Sequence, residues 1–181
     1  MNITALRIRI FGDPALRRRS VPVRKVTARY KEVLSRMSGL MYENSGIGLA
    51  APQVGVNECM IVADIGGGLY KLVNPKIVKR EGKQVLEEGC LSVPGVCIKV
   101  KRANSVVVEA LDESGKHVTV EAEGLLACVF QHEIDHLRGK LIIDYAGALN
   151  KLRIAGKLKR LKKISQNELS ESQSKSCKLQ L

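Results

Sequence analysis

Histidine is scarce in this chain: only three occur among 181 residues, and two of them, His132 and His136, lie four positions apart. No apolar run approaches the roughly 20 residues that a helix needs to span a bilayer, so no membrane-spanning helix is predicted. The N-terminal stretch lacks the basic start, apolar core and cleavage site of a signal peptide. Five cysteines, odd in number and scattered, argue against a disulfide framework and favour a reducing cytoplasm.

Acidic residues are missing between Tyr145 and Asn167, whereas residues 151–163 contain seven Lys or Arg. The net charge of the whole chain is +12. Such a basic segment fits a polyanionic partner such as nucleic acid, but it also fits an ordinary solvated helix face.

Apolar spacing predicts three helices, of which the first is capped by Thr27 and the second is followed by Gly139 at a left-handed C-cap. They cover residues 28–42, about 125–138 and about 148–164. The apolar stripe of the third is either Leu152, Ala155 and Leu158, or Ile154, Leu158 and Leu161. Short strands are predicted at 59–64, 69–73 and 76–79, and a hairpin at 106–111 and 117–122. The glycine-rich residues 43–55 are predicted as a loop.

This order of elements predicts an α+β fold, with short and mostly antiparallel sheets packed around the second helix and a basic C-terminal helix. We expect one catalytic domain over residues 1–164. Residues 165–181 are rich in Ser and Gln without periodicity, so we expect a disordered tail.

The segment QHEIDH (131–136) contains candidate metal-binding and catalytic residues. Residues four apart share one face of a helix, so His132 and His136 can bind one metal ion. Glu133 is then within reach of a water that the ion activates, as in the HExxH arrangement. Leu125, Cys128 and Val129 lie on the same face one and two turns earlier, which continues the histidine pair as a buried stripe.

A catalytic metal site needs a third protein ligand and an open position. No third histidine follows the helix, and the best candidate is Cys90 in the segment EEGCLSVPG (87–95). Taken alone, Cys90 is better explained as a buried core cysteine. Two other functions therefore remain possible interpretations: a zincin-type endopeptidase, and a basic RNA-binding module with a structural metal.

Three blocks of the sequence, GIGLAAPQVG (46–55), EGCLSVPG (88–95) and QHEIDHLRG (131–139), resemble in order and spacing the signature motifs of the peptide deformylases. The resemblance covers the chain to about residue 164. It implies a metalloenzyme that removes the formyl group from N-terminal formylmethionine and releases formate. The metal ligands it implies are Cys90, His132 and His136, with Fe²⁺ as the native ion and Zn²⁺ compatible with the same donors.

The resemblance also assigns roles around the metal. Glu133 handles the proton, while the Gln53 amide and the Leu91 backbone N–H stabilise the developing oxyanion. It adds Ile47 and Leu86 to Leu125, Cys128 and Val129 as walls of a methionine pocket. Gly48 and Gly89 are expected to allow close approach of the peptide backbone.

Further expectations concern the surroundings of the site. Glu88 and Arg102 are expected to form an ion pair that orients the Cys90 loop. Asp135 is expected either to support the metal ligands through a hydrogen bond or, as we favour, to be a surface acid of the helix. Cys97 stands near the place where bacterial relatives often have an arginine that meets the substrate.

The partners implied are N-formylmethionyl nascent peptides and, through the basic helix, the ribosome. No membrane partner is expected. We expect a cytoplasmic monomer.

Overall fold

The computed structural model of the protein describes residue 3 and residues 6–178, with side chains as far as residue 170. In this part of the chain there are three α-helices and seven strands. The helices are α1 (Ala28–Glu43), α2 (Gly124–Leu137) and α3 (Ala148–Lys178). The strands are β1 (Gly48–Ala50), β2 (Met60–Ala63), β3 (Tyr70–Glu81), β4 (Gln84–Glu88), β5 (Ile98–Arg102), β6 (Ser105–Leu111) and β7 (His117–Glu123).

Two antiparallel sheets form the framework. The larger has five strands in the order β1-β2-β3-β6-β7, and the smaller pairs β4 with β5. The predicted hairpin is confirmed as β6 and β7, and its turn is held by Asp112, whose Oδ1 accepts the N–H groups of Ser114 and Lys116. The predicted α+β class with antiparallel sheets around the second helix is confirmed.

Helix α2 is the centre of the fold, and residues 127–137 of it are all buried. Its apolar side chains pack with those of the larger sheet into one cluster that includes Phe130 and Ile134. Gly139 follows with φ of +71°, as the predicted left-handed C-cap requires. In this part of the helix, residues 127–137, even the polar residues are therefore largely shielded from solvent.

Helix α3 differs from the prediction in length. It continues to Lys178, so the predicted end at residue 164 is too early, and residues 165–178 are helical where a disordered tail was expected. No Pro or Gly occurs after Gly156, so nothing in the sequence terminates the helix. Residues 179–181 lie outside the described part.

One face of α3 packs against the rest of the protein. Its apolar stripe is the second of the two alternatives: Leu161 is buried and Ile154 and Leu158 pack against the same cluster, whereas Leu152 is 75% exposed. Farther along this face Ser165 is buried, and Arg7 pairs with Glu168.

Two local predictions were wrong, and two strands were missed. The predicted loop 43–55 contains β1 and a 3₁₀ helix, Ala51–Val54. The two strands predicted at 69–73 and 76–79 are one strand, β3, with an irregular register around Asn74, whose φ is +54°. Strands β4 and β5 were not predicted, because tertiary pairing rather than local propensity creates these short strands.

In the part of the chain that the structure describes, no helix is both long and apolar enough to cross a membrane. The four described cysteines, Cys59, Cys90, Cys97 and Cys128, are free thiols.

Candidate metal centre

A thiol and two imidazoles from distant parts of the chain converge at one point. Helix α2 presents His132 and His136 one turn apart, and Cys90 lies two residues after the end of β4. The two Nε2 atoms are 3.2 Å apart, and Cys90 Sγ is 3.3 Å from His136 Nε2. All three ligand atoms lie within 4.8 Å of one another. Tetrahedral ligands of one ion stand about 3.3–3.6 Å apart, so a single cation can contact the three.

The protonation of His136 and the orientation of His132 also suit a cation. Glu88 Oε2 lies 2.8 Å from His132 Nδ1, which directs the other ring nitrogen, Nε2, toward the cysteine. Burial lowers the pKa of His136 well below its ordinary value, so this ring keeps a free lone pair. One thiolate and two imidazoles are donors that both zinc and divalent iron accept. The residues present therefore fit the metal that the sequence implies.

A buried ion pair fixes the Glu88 carboxylate that orients His132. Arg102 Nε donates to Glu88 Oε1 at 2.5 Å and Arg102 Nη2 donates to Glu88 Oε2 at 2.9 Å. Burial alone would raise the pKa of Glu88, but His132 and Arg102 outweigh it and bring the pKa down to about 2. The predicted Glu88–Arg102 pair is confirmed, and it joins the smaller sheet to α2 through His132.

Asp135 continues this network, so its expected place on the helix surface is wrong. Its side chain is 13% exposed, and Oδ2 accepts hydrogen bonds from Arg102 Nη1 at 2.9 Å and from the Tyr145 hydroxyl at 2.6 Å. A carboxylate can be buried here because the Arg102 cation, 33 residues away in sequence, lies between it and Glu88.

The segment that carries Cys90 is braced from two directions. Val93 N–H donates to Cys90 O at 2.9 Å within a turn, and Phe11 N–H donates to Ser92 O at 2.7 Å. From α3, Lys157 Nζ donates to Gly95 O. The half-buried Cys90 packs against the apolar cluster that also contains Leu161. The position of the thiol thus depends on neighbours both early and late in the chain.

Glu133 faces the site beside the histidines. It is 3% exposed, and its Oε2 has no hydrogen-bond partner among the described residues. Burial raises the pKa of Glu133 to about 7, against the opposing effect of the His132 and Arg102 charges. A carboxyl group with such a pKa can both accept and return a proton near neutral pH.

Gly48 leaves the space that Glu133 occupies. A Cβ at this position would collide with Glu133 Oε1 and would lie 2.8 Å from Val129 Cγ1. Strand β1 therefore passes close to α2 only because residue 48 has no side chain.

The Gln53 side chain is held in one orientation. Its Oε1 accepts from Ala50 N–H at 2.7 Å, while Nε2 donates to Ser92 Oγ at 3.2 Å and lies 3.6 Å from Cys90 Sγ. The bond to a backbone N–H fixes which end of the amide is oxygen. The amide N–H₂ group is consequently directed at the metal centre.

A cavity of about 550 Å³ opens beside these groups. Of the residues assigned from the sequence to the metal, to catalysis or to the substrate, all except His136 line it, and His136 lies behind His132 and Cys90. Its lining includes Ile47, Gly48, Gln53, Leu86, Gly89, Cys90, Leu91, Leu125, Cys128, Val129, His132 and Glu133. Leu125 and Ile47 are about half exposed at its edge, at 48% and 43%.

Some residues of the site were not found from the sequence. Ser92, fully buried, holds the Gln53 amide, and its place inside the block EGCLSVPG was the available signal. Tyr145 supports Asp135, and no sequence pattern pointed to it. Glu87 is an exposed charged residue that lines the cavity. Cys97 is exposed, and it does not line the cavity.

The fold and this site together define a metal-dependent hydrolase. A family model described as polypeptide deformylase matches residues 5–152. The chain belongs to the peptide deformylase family, whose members remove the N-formyl group from the N-terminal formylmethionine of nascent peptides. This is the reaction of the chain, and the endopeptidase and RNA-binding alternatives are set aside.

Individual relatives agree with the family match. A peptide deformylase of Halothermothrix orenii is 52% identical over 141 residues, which is 77% of this chain and 92% of that protein. The crystal structure of a peptide deformylase from Legionella pneumophila matches with a TM-score of 0.82 at 40% identity, covering 89% of this chain and 97% of the other. The Thermotoga maritima structure matches with a TM-score of 0.76 at 44% identity, covering 78% and 97%.

Proposed function

We propose that Cys90, His132 and His136 bind one Fe²⁺ ion and that Glu133, Gln53 and Leu91 carry out the deformylation with it. The observation that carries this proposal is the convergence of the three ligand atoms within 4.8 Å beside a buried glutamate. Iron is the choice that the family resemblance favours, and Zn²⁺ accepts the same donors.

When bound, the ion supplies Lewis-acid chemistry, since it polarises the formyl carbonyl and lowers the pKa of a water molecule toward neutrality. Glu133 takes the proton of that water at its unpartnered Oε2 and later donates it to the leaving amine. In the metal-free protein, burial raises the pKa of Glu133 to about 7, so its carboxyl group holds a proton more readily than an exposed glutamate does.

The Gln53 amide and the Leu91 backbone N–H are the proposed donors to the oxygen that gains negative charge. The amide is oriented before substrate arrives, because Ala50 and Ser92 hold its two ends. Such preorganised donors cost no rearrangement during the reaction, and losing one typically lowers the rate by about 10²–10³-fold.

The cavity beside the metal centre is the proposed methionine pocket. Ile47, Leu86, Leu125, Cys128 and Val129 supply apolar walls. Gly89, which has open space around it, lets the peptide backbone approach closely, in the manner of an added strand, while Gly48 makes room for Glu133. A formyl group carries only hydrogen on its carbonyl carbon, so a tight space beside Glu133 would reject acetyl groups by steric exclusion. Turnover of acetyl-methionyl peptides at a comparable rate would contradict this selectivity.

An anaerobic purification tests the assignment of roles. Metal analysis is expected to find one divalent ion per chain, predominantly iron, and a formyl-Met-peptide is expected to release formate. Glu133→Ala is expected to retain the metal and lose about 10²–10⁴-fold in rate. Glu121→Ala removes an exposed acid of β7 and is the matched control, for which no change is expected. Equal activity of the two variants would refute the role of Glu133.

We also propose that the basic face of α3 binds the ribosome and that the protein is a cytoplasmic monomer. The seven Lys and Arg at 151–163 are all exposed, although Lys157 also contacts Gly95. Lys159→Glu with Lys163→Glu is the suitable test, because deleting α3 would uncover its apolar partners. The double variant should lose salt-sensitive co-sedimentation with ribosomes while short peptides are still deformylated. Unchanged co-sedimentation would contradict this proposal.

A further inference from the structure

A second cavity, of about 450 Å³, lies on the far side of the Glu88–Arg102 pair from the metal centre. Glu88 lines the first cavity and Arg102 lines the second. Its walls come from the end of β3, the turn into β4, the end of β5, the last turns of α2 and the residues after α2. None of its lining residues has a part in the deformylation proposed above, apart from the support that Arg102 and Asp135 give to Glu88 and His132.

The charges around this cavity are nearly all positive. Six basic residues line it, Arg80, Lys83, Lys101, Arg102, Arg138 and Lys140, and Asp135 is the one acid among the lining residues. The Asp135 oxygen that faces this network already accepts from Arg102 and Tyr145. Asp135 therefore forms its ion pair with Arg102, and within the described residues it forms none with the other five cations.

Those five cations form no ion pair with any residue in the described part of the chain. Elsewhere exposed basic residues do pair, as Arg36 does with Glu43. Glu81 directly follows Arg80, but it pairs with Lys79 instead at 2.9 Å. Like charges gathered in one concave space repel one another, and an anion bound there would remove this repulsion.

Arg102 is a fixed positive charge at the edge of this cavity. Three of the five N–H groups of a guanidinium are used, two by Glu88 and one by Asp135. Arg102 is 7% exposed and cannot rotate away from these partners. The flexible side chains of Lys83 and Lys101 on one wall, and of Arg138 and Lys140 on the other, surround it.

We propose that this cavity binds a small multivalent phosphate anion. Multiple negative charges match five unpaired cations, and Arg and Lys are the side chains that bind phosphate oxygens best. The volume is within the range of ordinary small-molecule sites, about 300–1,000 Å³. An open, flat basic surface would instead suit a long polyanion, so a free anion is favoured over an RNA backbone.

The zinc-loaded, ¹⁵N-labelled full-length protein can test this proposal by titration with pyrophosphate at about 0.15 M ionic strength, where diffuse surface attraction is largely screened. Saturable shifts are expected for the amides of residues 80–83, 101–103 and 138–140. Metal analysis alongside restricts the titration to concentrations at which zinc stays bound, because pyrophosphate can itself chelate zinc.

Two double variants remove one wall each, Arg138→Ala with Lys140→Ala and Lys83→Ala with Lys101→Ala. Each is expected to bind pyrophosphate more weakly by about tenfold or more, since each loses two charge-assisted hydrogen bonds. Arg24→Ala with Lys25→Ala is the control, because these exposed cations line a different cavity and the charge lost is equal. Two walls are tested so that misfolding of one variant leaves the other informative.

The outcomes separate the possibilities. Equal weakening in the cavity variants and the control would overturn the proposal, because diffuse charge would then explain the binding. The absence of saturable shifts up to about millimolar pyrophosphate would overturn it as well. A short single-stranded RNA that displaces pyrophosphate from the same amides would overturn the free-anion assignment, and its failure to do so would support it.

Discussion

Replacing Glu88 with glutamine should disable the metal centre without touching a metal ligand. Each carboxylate oxygen receives two donors: Oε1 receives Arg102 Nε and the Cys128 thiol, and Oε2 receives Arg102 Nη2 and His132 Nδ1. Glutamine has one carbonyl oxygen and one NH₂ group. In either orientation, therefore, the NH₂ group faces donor groups whose hydrogen bonds it cannot accept.

The size of the effect follows from the burial of the pair. The side chains of Arg102 and Glu88 are 5% and 6% exposed, so Glu88→Gln leaves a buried cation that only Asp135 still balances. Removing one partner of a buried ion pair costs about 3–5 kcal/mol of folding free energy. Loss of a carboxylate that orients a histidine ligand typically weakens metal binding by about 10–100-fold.

Two measurements check this prediction: urea unfolding, and the rate at which a chelator removes zinc from the folded protein. Glu87→Gln is the matched control, because it removes the same charge from the neighbouring, exposed position of β4. If Glu88→Gln held zinc and resisted urea as well as Glu87→Gln does, the proposed support of His132 would be refuted.

Three other predictions follow from single positions. In the metal-free protein, Glu133 has its pKa raised from 4.5 to about 7, so its contribution to stability is present below about pH 4.5 and is lost as the pH rises through about 7. Glu133→Gln should therefore gain stability relative to the parent between about pH 5 and about pH 8, and an identical pH dependence of urea unfolding in the two would contradict this. Leu161→Ala should cost about 2–4 kcal/mol in urea unfolding, against less than about 0.5 kcal/mol for the exposed Leu152→Ala, and equal costs would mean that α3 does not pack as described. Gly48→Ala should lower the rate of formate release by about 100-fold because Glu133 must move, whereas Gly67→Ala, which has open space around it, should leave the rate unchanged.

Local patterns in the sequence predicted the parts of the site that lie on one element. The pair His132 and His136 needs only the helical period, and the following Gly139 marks the helix end correctly. The hairpin of β6 and β7 likewise follows from alternation and a polar turn.

Features that depend on distant partners were missed or misjudged. Asp135 was assigned to the surface because its partners, Arg102 and Tyr145, come from other segments. Strands β4 and β5 are each only five residues long. Neither segment is long enough for its sequence pattern alone to predict a strand, and each is stabilised by pairing with the other. The inner face of α3 was ambiguous between two stripes until its contacts with residues 93–100 were known.

The two-stranded sheet of β4 and β5 is separate from the larger sheet, and a pair of strands by itself is marginally stable. Its strand β4 leads directly to Cys90, and Glu88 at the end of β4 contacts His132. A cation bound by Cys90 and the two histidines would thus link this small sheet to α2. Losing the ion and loosening the β4–β5 pair then become one event, so slow amide exchange in these two strands would report how firmly the enzyme keeps its metal.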